Sequence, residues 1–192
     1  MVQNNYVIPS GAEGSKTLEL TYVVLPGESK KINVSVDLAE PGAELKITGL
    51  YLCTGEEEVN FNIVVNHLVP GCRSTQLIKG IAGGHSKVKF NGKIVVAQDA
   101  QKTEAFQENH NILLSEEAKV ETKPQLEIYA DDVKCSHGAT IGRLNDDELF
   151  YMRSRGIPRK EAEALQMLSF LSPVIPEDRR EEIQDIVTRG IR

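Results

Sequence analysis

The chain has 192 residues, of which 40% are hydrophobic and 26% charged, a globular balance that excludes a disordered or collagen-like chain. Its formal net charge of -6 argues against broad nucleic-acid binding, because phosphate contacts need a basic face. No apolar run approaches the roughly 18 residues of a membrane span, and the start MVQNNYVIPSGAEG has neither a basic n-region nor an apolar h-region, so no secretory signal is expected. Three cysteines, Cys53, Cys72 and Cys135, are widely spaced and form no CxxC. An odd set without a pairing pattern points to free thiols in a reducing cytoplasm.

From the start to about Gly142 the hydrophobic period is two. Leu18, Leu20, Tyr22 and Val24 alternate loosely with polar residues; Ile32, Val34, Val36 and Leu38 do so strictly, as do Val59, Phe61, Ile63 and Val65. Each run predicts a strand with one apolar face. Pro26-Gly27, Pro41-Gly42, Pro70-Gly71 and Gly83-Gly84 are turn signals between strands. From Lys87 the runs are expected to shorten: Val88 and Phe90, Ile94 and Val96, Ala105, Ile112 to Leu114, Val120, Leu126 and Ile128, Val133 and Cys135, and Ile141 recur between the polar corners QDAQK, SEEAK and YADD. Asn91-Gly92 is a hairpin signal. Most other corners lack hairpin residues, and short inward segments with polar corners suit a parallel β-helix of stacked coils. A jelly roll or antiparallel sandwich is the rival reading.

After Gly142 the period becomes helical. Asn145, with Glu148 three residues later, marks a helix start, and Gly156 its end. Pro158 opens a second helix carrying Ala162, Leu165, Leu168 and Leu171, closed by Pro173; Pro176 opens a third, with Glu177 and Asp178 at its positive end and Gly190 past its end. The architecture expected is mainly β: a β body over residues 1–142, then a small C-terminal helical domain over residues 143–192. The stripe Ile183, Ile186, Val187 reads either as packing on the chain's own helices or as an apolar patch for a partner.

Walker, GxSxG, HExxH and CxxC motifs are all absent, which lowers the expectation of nucleotide, hydrolase or zinc chemistry. The glycines at Gly80, Gly83 and Gly84 precede no helix and read as a tight turn. The densest polar constellation is YADDVKCSHGAT, Tyr129 to Thr140. On a strand, Cys135 and His137 point the same way. A thiolate and an imidazole on one face suit a soft or borderline metal, yet two ligands are too few for a closed site. The plain alternative makes Cys135 a small buried hydrophobe and His137 a hydrogen-bonded surface residue. Asp131 and Asp132 offer an acid–base pair of a carbohydrate-active β-helix enzyme, or solvated corner residues. His67, His85 and His110 have no recognisable partners and read as structural. Cys53 reads as core, and Cys72, in a Pro-Gly turn, as a thiol that could be exposed and reactive.

The segments GHSKVKFNGKIVVAQDAQKTEAFQENHNILLS (Gly84 to Ser115) and KPQLEIYADDVKCSHGATIGRLNDDELFYMRSRGI (Lys123 to Ile157) resemble the core of the SufB/SufD family of iron–sulfur cluster assembly proteins. ADDVKCSHGATIG followed by LFYMRSRGI resembles its SufD branch. The resemblance implies a right-handed parallel β-helix with terminal helices, acting as a scaffold and not as an enzyme. It implies a cytoplasmic complex with a SufB-like subunit and a SufC-like ATPase. Cys135 and His137 would lie at the cluster-forming interface with the SufB-like partner. The terminal helices, with Ile183, Ile186 and Val187, would dock the ATPase. Cofactor binding would be transient: iron or an iron–sulfur cluster at the partner interface and no stably held group. An exposed pairing face makes a homodimer of the isolated chain conceivable. Ala118 stands where the SufB branch carries a cysteine, which favours SufD. The family architecture is also longer and begins with a helical region not matched here.

Overall fold

The structure, a computed structural model, describes residues 2–8 and 16–189. Its period-two runs form ten strands: β1 Val2–Ile8, β2 Thr17–Val24, β3 Lys30–Leu38, β4 Glu44–Cys53, β5 Glu58–His67, β6 Arg73–Ala82, β7 Lys87–Val96, β8 Glu104–Leu113, β9 Lys119–Ile128 and β10 Lys134–Gly142. Odd strands form one five-stranded sheet in the order β1-β3-β5-β7-β9, and even strands form the other, in the order β10-β8-β6-β4-β2. Every neighbouring pair is parallel. Consecutive strands therefore lie in opposite sheets, and each coil contributes one strand to each sheet. This is a parallel β-solenoid; a jelly roll or an antiparallel sandwich would require antiparallel neighbours.

Alternation builds the interior. In β3 and β5, Ile32, Val34, Val36, Leu38, Val59, Phe61, Ile63 and Val65 are almost completely buried between the sheets. Pro26-Gly27, Pro41-Gly42 and Pro70-Gly71 make corners in which each glycine takes a positive φ, of 84°, 76° and 72°; proline presets the preceding position of such a turn. A buried carboxylate ties another corner. Glu57 accepts hydrogen bonds from the N–H groups of Gly27 (2.8 Å), Thr54 (3.1 Å) and Gly55 (2.7 Å). Burial alone would raise its carboxyl, but these donors outweigh it and hold the group below its ordinary value.

Two expectations change. Asn91-Gly92 is no hairpin: both residues lie inside β7, and Asn91 joins an outward ladder in which Asn91 donates to Asn62 (2.9 Å) and Asn62 to Asn33 (2.8 Å). In-register side-chain bonding across parallel coils wins over local turn propensity. Nor do the later strands shorten, since β7, β8 and β9 are ten residues each; in β8 the apolar signal fades because the inward Gln107, Asn109 and Asn111 are polar.

Three helices follow: α1 Asp146–Ser154, α2 Arg159–Leu171 and α3 Arg180–Arg189, with 3₁₀ turns Ser172–Val174 and Glu177–Arg179 before α3. Asn145 caps α1, its side chain accepting from the N–H groups of Asp147 (3.0 Å) and Glu148 (3.2 Å), and Gly156 ends the turn after it with φ 89°. The expected stop at Gly190 lies outside the described residues. Leu171, Val174, Ile183 and Val187 pack with Leu50, Leu52 and Ile81 of the even-strand sheet. The helices thus cover the outer face of that sheet, which explains why β4 is buried on both faces from Gly49 to Cys53.

Candidate functional site

β10 stands at the edge of its sheet, paired with β8 on one side and with no strand on the other among the described residues. Register sets Cys135 beside Ala105 and His137 beside Gln107. Ala105 and Gln107 are fully buried, so strand alternation points Cys135 and His137 to the inner face of the solenoid. Because β10 ends the stack, that face is open there. Cys135 is half-buried against the cluster of Ile94, Val96, Ala105 and Ala130, while His137 is exposed. Burial pushes the Cys135 thiol up from its ordinary value, partly opposed by a hydrogen bond with the Ala105 backbone. The thiol therefore holds its proton more tightly than an ordinary cysteine. Among the described residues no group of three or more His, Cys, Asp or Glu could hold a metal ion; Cys135 and His137 stand as two donors on one strand.

One layer below, β8 presents three successive carboxamides inward: Gln107, Asn109 and Asn111, each at most 2% exposed. Tyr51 donates its hydroxyl to Asn111 Oδ1. Asn111 Nδ2 donates to Asn109 Oδ1 (2.9 Å) and the Thr140 carbonyl (2.9 Å). Gln107 Nε2 donates to Gln76 Oε1 (3.0 Å). Sequence reading missed this layer because inward polar residues interrupt the apolar alternation that marks a strand. The signal available was the residual period two of Gln107, Asn109 and Asn111.

The other candidates separate. Asp131 and Asp132 are exposed corner residues; the Asp132 backbone bonds to Lys102 (2.6 Å) and to the Gln101 side chain (2.9 Å), and Asp132 borders a small pocket with Glu104 and Lys134 whose lining does not include Asp131. Cys53 is core, with burial pushing its thiol up to about 12. Cys72 is not exposed: it is fully buried, donating to the Glu40 carbonyl at 3.3 Å, because its corner turns the side chain inward. His67 is buried against Ser74 (2.9 Å). His110 does have partners, Thr140 (2.9 Å) and Glu108 (3.2 Å), on the outer face, and His85 sits exposed in a turn. Ala118 is buried.

The structure supports the packing reading of the C-terminal stripe. Ile183 and Val187 are 0% and 1% exposed and Ile186 is half-buried, all within the cluster against the solenoid. The apolar side chains that the helices leave in solvent are Phe150, Tyr151 and Leu165. Tyr151 and Leu165 border an open groove of about 730 Å³ between α1 and α2, floored by Ile112, Leu144 and Phe170. No described helix is long and apolar enough to cross a membrane.

The chain is thus a parallel β-solenoid with helices over one sheet and a thiol and an imidazole on the inner face of its edge strand β10. Residues 10–170 match the family described as SUF system FeS cluster assembly, SufBD core domain. The chain belongs to that family, on its SufD side. It is 40% identical over 168 residues to the iron-sulfur cluster assembly protein SufD of Escherichia coli, covering 88% of this chain and 40% of the relative. It is 36% identical over 167 residues to an iron-sulfur cluster assembly SufBD family protein of Synechocystis, covering 85% and 36%. It is 37% identical over 176 residues to the chloroplastic protein ABCI7 of Arabidopsis thaliana, covering 90% and 37%. The chain thus spans about two-fifths of the length of these relatives.

Proposed function

We propose that this chain is a scaffold subunit in iron–sulfur cluster assembly, with Cys135 and His137 supplying two ligands to iron or a nascent cluster at a seam closed by a SufB-like subunit. The observation that carries this reading is the position of the pair: same face, last strand, open end, with a free strand edge beside them. Two donors bind iron weakly alone, and a second β-solenoid supplying further thiolate or carboxylate ligands makes a full set. An unpaired parallel edge also offers main-chain donors and acceptors to that partner. In its absence the same edge serves a homodimer of this chain. The cluster is cargo, bound transiently, and the chain itself performs no catalysis in this reading.

A SufC-like ATPase docks on the helical segment. Its contact falls on Phe150, Tyr151 and Leu165 around the open groove, since Ile183 and Val187 are inside the chain.

The test is reconstitution with a SufB-like and a SufC-like protein. The three chains are expected to elute as one complex, and His137→Ala is expected to leave that complex intact while abolishing cluster formation under iron and a sulfide source. Separate elution, or an unchanged cluster yield with His137→Ala, overturns the reading.

A further inference from the structure

Gln107 has a feature that its core position does not explain. Its Nε2 is held by Gln76, but its Oε1 is buried without a hydrogen-bond partner. Burying an unpaired acceptor is unfavourable, and an apolar side chain of similar length would fill the space without that penalty. Space has also been made for the amide. Gly92, across the interior on β7, lies so close that a Cβ there would run into the Gln107 carboxamide and the Phe90 ring. Gln76, Gln107 and His137 are in register on β6, β8 and β10, whose backbones stack about 4.8 Å apart. All three side chains leave the same inner face. His137 is therefore the in-register neighbour of Gln107 on the side away from Gln76. Gln76 Nε2 is likewise buried without a partner; with Gln76 as it stands, a Gln107 flipped alone would set its Oε1 against Gln76 Oε1.

We propose that Gln107 is a positioning residue for His137: its Oε1 accepts the N–H of the inward-turned imidazole and thereby selects which ring nitrogen stays unprotonated and faces the seam. A metal ligand needs a free lone pair on one nitrogen, and the hydrogen bond made by the other fixes the tautomer. Gln76 and Gly92 support this role, one by orienting the amide and one by leaving room for it. The inference rests on the reading of His137 as a cluster-site residue only for its purpose; the proposed contact lies within this one chain and needs no partner.

The experiment is ¹⁵N NMR of the histidine side chains in the full chain, with His137 assigned by its loss in His137→Ala, at a pH where the ring is neutral. One tautomer of His137 is expected to dominate by roughly fivefold to tenfold, the size of one neutral hydrogen bond. Gln107→Met is expected to bring the two tautomers toward equality, and Gln107→Glu, which keeps an acceptor oxygen, to restore the preference. Comparable tautomers in the unsubstituted chain overturn the proposal without any variant having to fold, and so does an unchanged preference in Gln107→Met. An unchanged cluster yield with His137→Ala sinks the functional reading and leaves the tautomer result standing, so the two failures are distinguishable.

Discussion

His67 shows how one residue's burial becomes a pH dependence of the whole chain. It is fully buried, with Nε2 beside Ser74 Oγ and Nδ1 unpartnered, and burial lowers its pKa from 6.5 to about 4. Above pH 6.5 the ring is neutral in both folded and unfolded states. Below it the unfolded chain takes up a proton that the folded chain refuses, so stability falls as pH drops from 6.5 toward 4 and then levels. The loss is expected to reach roughly 3 kcal/mol. Urea unfolding across this range measures it, and His67→Asn is expected to flatten that part of the slope. Cys72 gives the complementary lesson. A Pro-Gly turn signals a surface corner, yet which way the next side chain points depends on where that corner sits on the stack, and here it points in. The Cys135–His137 spacing was legible because alternation alone puts both on one face; that this face is the solenoid's inner one, open at its end, was not.

At the scale of elements, glycines in strand interiors mark where one coil's side chain crosses another's backbone. Tyr51 on β4 is in register with Gly80 on β6, and Gly80 with Asn111 on β8. A Cβ at Gly80 would collide with the Tyr51 ring, whose hydroxyl reaches over that gap to Asn111. Gly80 is thus not the tight turn suggested by its neighbours but a gap in β6. Gly80→Ala is expected to destabilise the chain by about 2 kcal/mol or more, through overpacking and loss of the Tyr51–Asn111 bond. Thermal unfolding measures the loss, and an unchanged midpoint would show that the ring has another resting place. The Asn91-Gly92 step makes the same point. As a dipeptide it signals a hairpin, but inside β7 the asparagine faces outward into a ladder and the glycine inward beneath Gln107.

For the whole molecule, asymmetry is the main fact. Helices cover the outer face of the even-strand sheet, while the outer face of the odd-strand sheet carries polar ladders and exposed ion pairs such as Lys87–Glu58 at 3.0 Å. The interior is apolar in the early coils, and in β8 the carboxamides Gln107, Asn109 and Asn111 join it beside the apolar cluster of Ile94, Val96 and Ala105. Polar groups collect where a partner is proposed, and apolar ones where the chain closes on itself. This separates two sets of helix substitutions. Tyr151→Asp with Leu165→Asp is expected to leave folding unchanged, both being exposed, and to lower co-purification with the ATPase at least about tenfold. Ile183→Asp is expected to unfold the helical segment by about 3 kcal/mol through a buried charge. Circular dichroism with pull-down separates them, and normal ATPase binding by the exposed double variant would remove the groove as its docking surface.

Period-two runs, Pro-Gly corners and the switch to helical spacing after Gly142 determined the element types by themselves, because local sterics and amphipathic periodicity act within a few residues. The SufB/SufD resemblance reached the family for a related reason, since its motif is contiguous in the chain. Tertiary structure alone decided the parallel register, the burial of Cys72, Ile183 and Val187, and the line from Gln76 through Gln107 to His137. The coil register joins residues about thirty positions apart and the helix packing residues far more distant, and stacking and docking, not local preference, bring them together.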